Sequence, residues 1–278
     1  MRPVLEPFEL PFVQRGLAEL LILAVPAGLL GTWIVLRRLA FFSHSVGTAA
    51  FPGLVLADGL GFAAPLGAFA AALAFTAGNA ALGRGKDRGR DSVIALVLVG
   101  CLAAGVILAS DVFGSGANVE TLLFGSLLLV DGADIRLAAV AAVATVLVSA
   151  LVGRRWLAQG FDPGDAGIGR RERLFLDAAL LALIALAITA ALSVVGALLV
   201  ASLFVVPAAT ARLFTSRMLS WQLASVALVA AEGTLGLWLS VETDAPPGAT
   251  IACVAGAVFA LVALGCSFFA RPRPLGAI

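Results

Sequence analysis

The chain has 278 residues, of which 61% are hydrophobic and 13% are charged, and its formal net charge at pH 7 is +1. Soluble domains average about 45–50% apolar and about 25% charged residues, so this composition indicates an integral membrane protein. The small net charge gives no reason to expect a nucleic-acid partner. The three cysteines form no CxxC pair, which argues against a disulfide framework or a zinc site.

The first half of the sequence contains four candidate membrane segments. A spanning helix needs about 20 mostly apolar residues. The candidates are Leu17–Leu36, about His44–Leu60, Pro65–Leu82 and Asp91–Ser110. The second is the least apolar, so we predict a partial or tilted helix there. Pro26 is a predicted kink in the first.

The region Asp111–Asp134 has a different pattern. Its apolar run, Leu122–Val130, is bracketed by Glu120 and Asp131 and is too short to span a bilayer. We predict that this run lies in the interface or dips into the membrane from outside.

The second half contains one apolar region that is much longer than a single crossing. Leu174–Leu213 is about twice the length that one helix needs, so it should fold back near Ser193–Gly196. Ile135–Val152 precedes it, and Trp221–Leu239 and Thr250–Phe269 follow. The predicted fold is a single all-α domain over residues 1–278, a polytopic helix bundle with eight or nine membrane segments, some partial or re-entrant.

The distribution of Lys and Arg predicts the orientation in the membrane. Cytoplasmic loops carry an excess of these residues. If Arg37 is placed inside and the crossings alternate, fifteen of the eighteen basic residues fall on that side, and only Arg2, Arg15 and Arg136 fall outside. We therefore predict a multi-pass plasma-membrane protein with its basic loops in the cytoplasm.

A polar segment between the first two apolar runs is the candidate substrate path. It contains Ser45, Thr48 and His44, which is the only histidine in the chain. Hydrocarbon offers hydroxyl and imidazole groups no partner, so these side chains should line a protein interior or a water-filled path. A lone buried histidine is also commonly a hydrogen-bonded structural residue, and both interpretations stay open.

Two further features stand out in the second half. Glu232 is an acid within an apolar run, where a charge costs about 2.5–3.5 kcal/mol at a helix centre. It is a candidate carboxylate partner of His44, or a hydrogen-bonding group between helices. Pro207, in VVPAATARLF, is predicted to break its helix near the inner face and to leave a short turned element flanked by Arg212 and Arg217. A proline kink with ordinary interfacial arginines is the alternative.

Several stretches, in order along nearly the whole chain, resemble the permease subunits of the ABC-type manganese, zinc and iron uptake systems. The most specific is Val194–Arg217. The others are PFVQRGL, GLLGTWIVLRRLAFF, FPGL, DSVIALVLVGCLAAGVIL, TLLFGSLLLV, FDPGDAGIG and GLWLSVETDAPPGATI.

The resemblance implies a non-enzymatic transporter subunit with no covalently bound cofactor, whose transported substrate is a divalent transition metal. It implies a permease dimer, an ATPase on the cytoplasmic face and an extracytoplasmic metal-binding protein. The sequence has no GxxxxGK[ST] motif of its own, so an ATPase would be a partner chain. The resemblance also favours ATPase coupling for the predicted element, namely for Pro207, Ala208, Ala209, Thr210 and Arg212.

The candidate substrate site departs from the family it resembles. Such permeases usually carry Asp at the position of His44 and His at that of Thr48, one helical turn apart, which resembles a ligand pair for Mn²⁺ or Zn²⁺. Here an imidazole remains, as the one predicted metal ligand, while threonine is a poor ligand for these ions. A permease of the same fold for a metal chelate or another small solute is therefore the alternative. An intramembrane enzyme is disfavoured, because the chain has one histidine and no HExxH motif.

Overall fold

All regular structure that is described is helical. The computed structural model describes residues 10–82, 90–112, 123–126, 130–161 and 169–269. The helices are α1 (Pro11–Leu36), α2 (Ala40–Leu60), α3 (Ala64–Leu82), α4 (Arg90–Ile107), α5 (Gly132–Phe161), α6 (Arg170–Ala190), α7 (Leu192–Val195), α8 (Val200–Phe214), α9 (Met218–Thr243) and α10 (Pro247–Phe269). A π-helical turn, Leu108–Val112, extends α4.

Nine of these helices are candidates for crossing or entering the membrane within the described ranges. Helices α1, α2, α5, α6, α9 and α10 are long and apolar enough to span, while α3, α4 and α8 contain shorter apolar stretches. The predicted all-α polytopic bundle, with partial segments among its helices, is confirmed.

The helix boundaries differ from the predicted ones mainly because helices extend beyond their apolar runs. Helix α1 begins at Pro11 rather than Leu17 and continues through Pro26. Helix α2 begins at Ala40, so His44 lies within a regular helix rather than at its start. Helix α5 continues past Val152 to Phe161. The backbone of a polar residue makes the same helical hydrogen bonds as that of an apolar residue. Hydropathy alone therefore underestimates the length of a helix whose ends are polar.

A tight turn connects α1 to α2. Arg38 adopts a φ of 56°, in the left-handed region that L residues rarely occupy. The Leu39 amide donates to the Ile34 carbonyl at 2.8 Å, and the Ser43 amide donates to the Leu39 carbonyl at 2.9 Å. These bonds close α1 and start α2 with almost no loop, so the polar segment is held rigidly against the end of α1.

The long apolar region Leu174–Leu213 folds back at Ser193–Gly196, as its length predicted. Helix α6 ends at Ala190, α7 makes one short turn, and Gly196 adopts a φ of 81° before α8 begins. The Ser126 amide donates to the Ser193 carbonyl at 3.0 Å, and the Leu198 amide donates to the Leu123 carbonyl at 3.1 Å. Of the predicted interfacial run, the structure describes residues 123–126 and 130, and residues 123–126 pack against this fold-back.

Helix α2 occupies a central position in the bundle. It packs along α3, α4 and α6, and it also contacts α8. Gly53 and Gly67 allow α2 and α3 to approach so closely that a side chain on either glycine would overlap the other backbone. Small residues of this kind let membrane helices pack backbone to backbone. Helix α1 packs on α5, α8 and α9 instead.

Candidate functional site

The polar side chains of α2 are sequestered from the surface. Ser45 and Thr48 are fully buried, and His44 is half-buried. The Thr48 hydroxyl donates to the His44 carbonyl at 3.2 Å, and the Ser45 hydroxyl donates to the Phe41 carbonyl at 2.8 Å. His44 and Thr48 are therefore one helical turn apart, as their spacing predicted.

The hydrogen bonds distinguish the hydroxyls from the imidazole. Ser45 and Thr48 each donate to a carbonyl one turn back in their own helix, which satisfies a buried hydroxyl without a ligand. No hydrogen bond joins the His44 ring to any residue in the described part of the chain. The imidazole is therefore the polar group of this segment that remains free to contact a substrate.

The segment faces the fold-back between α6 and α8. A side-chain carbon on Gly47 would lie 2.5 Å from the Val200 side chain and 2.9 Å from the Ala197 carbonyl oxygen. Only glycine fits at that distance, so α2 packs directly against the Ala197 carbonyl of the fold-back and the Val200 side chain of α8, one turn from His44. A shift of α8 would move the surroundings of the imidazole directly.

Glu232 is buried but does not join His44. It is 3% exposed, and neither carboxylate oxygen has a hydrogen-bond partner among the described residues. Its helix, α9, packs on α1, α8 and α10, whereas α2 packs chiefly on α3, α4 and α6. Among the described residues, no three His, Cys, Asp or Glu side chains come together as a metal site.

The element predicted to couple to an ATPase has a different local structure from the prediction. Pro207 was expected to break its helix, and that expectation is wrong: α8 continues through it to Phe214. Proline removes one amide donor, but packing of the surrounding helices holds α8 together. Pro207, Ala208 and Thr210 are buried, Ala209 is half-buried, and the Thr210 hydroxyl donates to the Val206 carbonyl at 2.9 Å.

A helical hairpin, rather than a broken helix, forms the end of this element. The Trp221 indole Nε1 donates to the Ala208 carbonyl at 2.7 Å and ties α9 to α8. The Arg212 guanidinium lies 5.0 Å from the centre of the Trp221 ring and donates to the Thr215 carbonyl at 3.2 Å. Arg212 remains exposed, so this hairpin presents a fixed positive charge at the basic end of the bundle.

Two polar groups that sequence reasoning missed are held by partners far away in the sequence. Arg37, treated only as an anchor, bonds to Asp177 at 2.6 Å. Glu19, on α1, is fully buried and accepts a hydrogen bond from the Ser193 hydroxyl at 2.9 Å. Glu19 carried the same signal as Glu232, an acid beside an apolar run, but the predicted helix start at Leu17 placed it at the membrane surface.

The comparisons with known proteins decide the family. The model of the ABC 3 transport family matches residues 9–266. The chain belongs to this family. It is a membrane subunit of an ATP-binding cassette transporter, and ATP hydrolysis belongs to a separate subunit.

Similar proteins cover almost the whole chain. The manganese transport system membrane protein MntC of Halalkalibacterium halodurans is 27% identical over 262 residues, which is 94% of this chain and 88% of that protein. The chelated iron transport system membrane protein YfeD of Yersinia pestis is 29% identical over 263 residues, covering 93% and 86%. A solved structure of PsaBC from Streptococcus pneumoniae in complex with Fab has 25% identity and a TM-score of 0.81, covering 95% of this chain and 93% of that one.

Proposed function

We propose that this ABC 3 family chain imports a divalent transition metal ion of the manganese, zinc and iron class. The observation that supports this most is the match to manganese and iron permeases along more than nine-tenths of the chain. The free imidazole of His44 on the central helix is compatible with that cargo, because neutral imidazole suits Zn, Fe and other borderline metals. His44 would contact the metal, and Ser45 and Thr48 would line its path.

Glu232 is proposed as a second group on the path. It lies apart from His44 in this conformation, so it would approach only in another state of the transport cycle. Transporters of this kind alternate between states by moving helices against one another. A buried carboxylate without a donor is the kind of group that a passing cation would compensate.

The proposed partners follow from the family. An ATPase subunit would dock on the cytoplasmic face, an extracytoplasmic binding protein would deliver the metal, and a second permease copy would complete the pore. The hairpin at the end of α8 is the proposed ATPase contact, because Arg212 is exposed there while Pro207, Ala208, Ala209 and Thr210 anchor it in the bundle. The close packing of Gly47 on α2 against the Val200 side chain of α8 would connect the ATPase contact to the substrate path.

A metal chelate or another small solute is the second candidate cargo. The Thr48 hydroxyl is occupied by its own helix, and no carboxylate contacts His44 among the described residues. A bare ion would thus find one protein ligand here. A chelate carries its own ligands and would need less from the protein.

Reconstitution distinguishes the two cargoes. The permease, its ATPase and its binding protein would be placed in liposomes, and uptake of Mn²⁺, Zn²⁺ and Fe²⁺ would be measured with and without a chelator. We expect ATP-dependent uptake of at least one free ion and stimulation of ATP hydrolysis by that ion. Uptake of chelate alone would establish the second candidate, and neither activity would reject the proposed function.

A further inference from the structure

Glu19 is a buried acid that the proposed substrate path does not use. It lies about 12 Å along α1 from Pro11, since an α-helix rises about 1.5 Å per residue. Its exposure is 0%, and it is surrounded in sequence by alanine and leucine. An ionised carboxylate in such a place is costly unless a partner or a cation compensates it.

The carboxylate of Glu19 is only half satisfied. Oε1 accepts the hydrogen bond from the Ser193 hydroxyl, while Oε2 has no donor among the described residues. Because the two oxygens of one carboxylate are close together, both lie next to the short helix α7. Asp131 and Asp134, at the start of α5, are near enough to act on Glu19 electrostatically. Two further acidic side chains therefore lie near the one carboxylate oxygen of Glu19 that has no hydrogen-bond donor among the described residues.

This group lies at the end of the bundle opposite the basic loops. Ser193 belongs to the fold-back, where its carbonyl accepts the Ser126 amide. Gly248, at the start of α10, packs against the Val195 and Phe124 carbonyls at the same place. Three chain segments thus meet at the fold-back that carries Ser193, the hydrogen-bond donor to Glu19. An ion delivered from outside would reach this fold-back before it reached His44.

We propose that Glu19 and Ser193 form a cation-binding site on the outer side of the substrate path, selective for hard divalent cations such as Mn²⁺. This inference rests on the proposed function and narrows its substrate class. The donors are a carboxylate and a hydroxyl, and oxygen ligands suit Mn²⁺ better than they suit softer ions. Among the described residues no three His, Cys, Asp or Glu side chains form a metal site, so this site would bind the ion weakly and release it toward His44.

The Ser193 hydroxyl changes its role when the cation arrives. It now donates to Glu19, and rotation of the hydroxyl would turn a lone pair toward the ion instead. The Asp134 carboxyl also lies within reach of the Ser193 hydroxyl, and Asp131 is hydrogen-bonded to Asp134, so both acids would attract the cation toward this place.

Two substitutions separate a cation site from a structural hydrogen bond. Glu19→Gln removes the charge and keeps an oxygen that can accept from Ser193. Ser193→Ala removes the hydrogen bond and keeps the charge. Asp58→Asn, at an exposed acid near the outer end of α2, is the matched control for loss of charge alone. Each variant would be assembled with the ATPase and binding protein in liposomes, and Mn²⁺ and Zn²⁺ uptake would be measured across concentration.

If Glu19 and Ser193 form a cation-binding site, Glu19→Gln should raise the Mn²⁺ concentration that half-saturates uptake at least about ten-fold, as loss of a metal-site group typically does. The change for Zn²⁺ should be smaller. Ser193→Ala should raise the half-saturating Mn²⁺ concentration less than Glu19→Gln does, because it removes one oxygen donor but keeps the carboxylate. Asp58→Asn should stay within about two-fold, because it removes only a screened surface charge. Electron paramagnetic resonance of Mn²⁺ with the same complexes gives an independent measure of binding, which Glu19→Gln should weaken.

The opposite pattern overturns the inference. If Ser193→Ala impairs uptake as much as Glu19→Gln, or if Glu19→Gln matches the parent in uptake and in Mn²⁺ binding, the pair is a structural tie. These outcomes leave the proposed function intact so long as the parent complex imports a metal. A parent complex that imports none rejects the proposed function instead.

Discussion

The Arg37 guanidinium Nη1 lies 2.6 Å from the Asp177 carboxylate Oδ1 and joins the end of α1 to the start of α6. Its other terminal nitrogen donates to the Gln159 side chain at 3.1 Å and to the Trp156 carbonyl at 3.3 Å, both on α5. Gln159 in turn donates to Asp177 at 2.9 Å. One guanidinium therefore fixes three helix ends at the basic side of the bundle.

Arg37→Ala should destabilise the protein by about 1–3 kcal/mol, because it leaves Asp177 and the Gln159 amide without their charged partner. The Arg37 side chain is only 14% exposed, so water replaces it poorly. The measurement is the melting temperature of the purified chain in detergent.

Arg155→Ala is the matched control. Arg155 pairs with Glu172 at the same 2.6 Å, but its side chain is 64% exposed. Exposed pairs contribute about 0–1 kcal/mol, so this variant should melt close to the parent. An equal drop in melting temperature for both variants would show that burial of the Arg37 network adds nothing to stability.

Asp131 caps the start of α5. Its carboxylate accepts from the Ala133 amide at 2.6 Å and the Asp134 amide at 3.0 Å, while its own amide donates to the Asp134 carboxylate at 3.0 Å. This reciprocal arrangement satisfies amides that a helix start otherwise leaves free. Asp131→Ala should therefore cost about 1 kcal/mol.

The same cap should make the stability of the protein depend on pH. Hydrogen bonds from the Asp134 and Ala133 amides hold the pKa of the Asp131 carboxyl below its ordinary value. A lowered pKa means that the cap stabilises the fold above the unfolded-state pKa, and that this contribution is lost as pH falls through the folded-state pKa. Melting curves from pH 7 down through the acid range should thus converge for the parent and Asp131→Ala. A gap that stays constant would contradict this role.

Trp221 fixes the geometry of the α8–α9 hairpin, while Arg212 carries its charge. Arg212→Glu should reduce uptake and uncouple or disassemble the ATPase, because it reverses the exposed charge and loses the stacking on Trp221.

Trp221→Phe keeps a ring under Arg212 but leaves the Ala208 carbonyl without the indole donor, so it should lower the free energy of unfolding by about 1–2 kcal/mol.

Ser220→Ala is the control for the hairpin, since the Ser220 hydroxyl is exposed and donates to the carbonyl of nearby Arg217. Complex formation is followed by co-purification, and coupling by the ratio of metal imported to ATP hydrolysed. If Arg212→Glu assembles and transports as the parent does, the hairpin is not the ATPase contact.

Most of the helices could be predicted from the sequence, because a bilayer demands apolar runs of a fixed length. The fold-back at Gly196 followed from the same rule, since Leu174–Leu213 is too long for one crossing. The predicted break at Pro207 does not occur. The missing amide is a local property of proline, whereas the packing of α8 against its neighbours decides whether the helix continues.

The pairings in the site could not be predicted in the same way. The spacing of His44 and Thr48 gave their relative placement, because both lie on one helix. The partners of Glu19 and Arg37 lie 174 and 140 residues away, and a sequence pattern carries no distance between separate helices. The Asp131 cap, by contrast, is a local contact, because Asp131 and Asp134 lie three residues apart.

His44 gives the sharpest test of the substrate path. His44→Ala removes the only imidazole, so it should lower metal uptake at least about ten-fold while leaving the fold intact. His44→Asp should retain more activity than His44→Ala, because a carboxylate also ligates Mn²⁺. Combining it with Thr48→His restores the pair that the resembled family usually carries.

The double variant should therefore transport Mn²⁺ at least as well as His44→Asp alone. Thr48→Val is the control: it removes the hydroxyl that bonds to the His44 carbonyl and keeps the shape, so uptake should change little. Glu232→Gln should weaken uptake without unfolding the protein if that carboxylate meets the ion in another state. Uptake by His44→Ala equal to that of the parent would make the histidine a packing residue, and the chelate would then be the better candidate cargo.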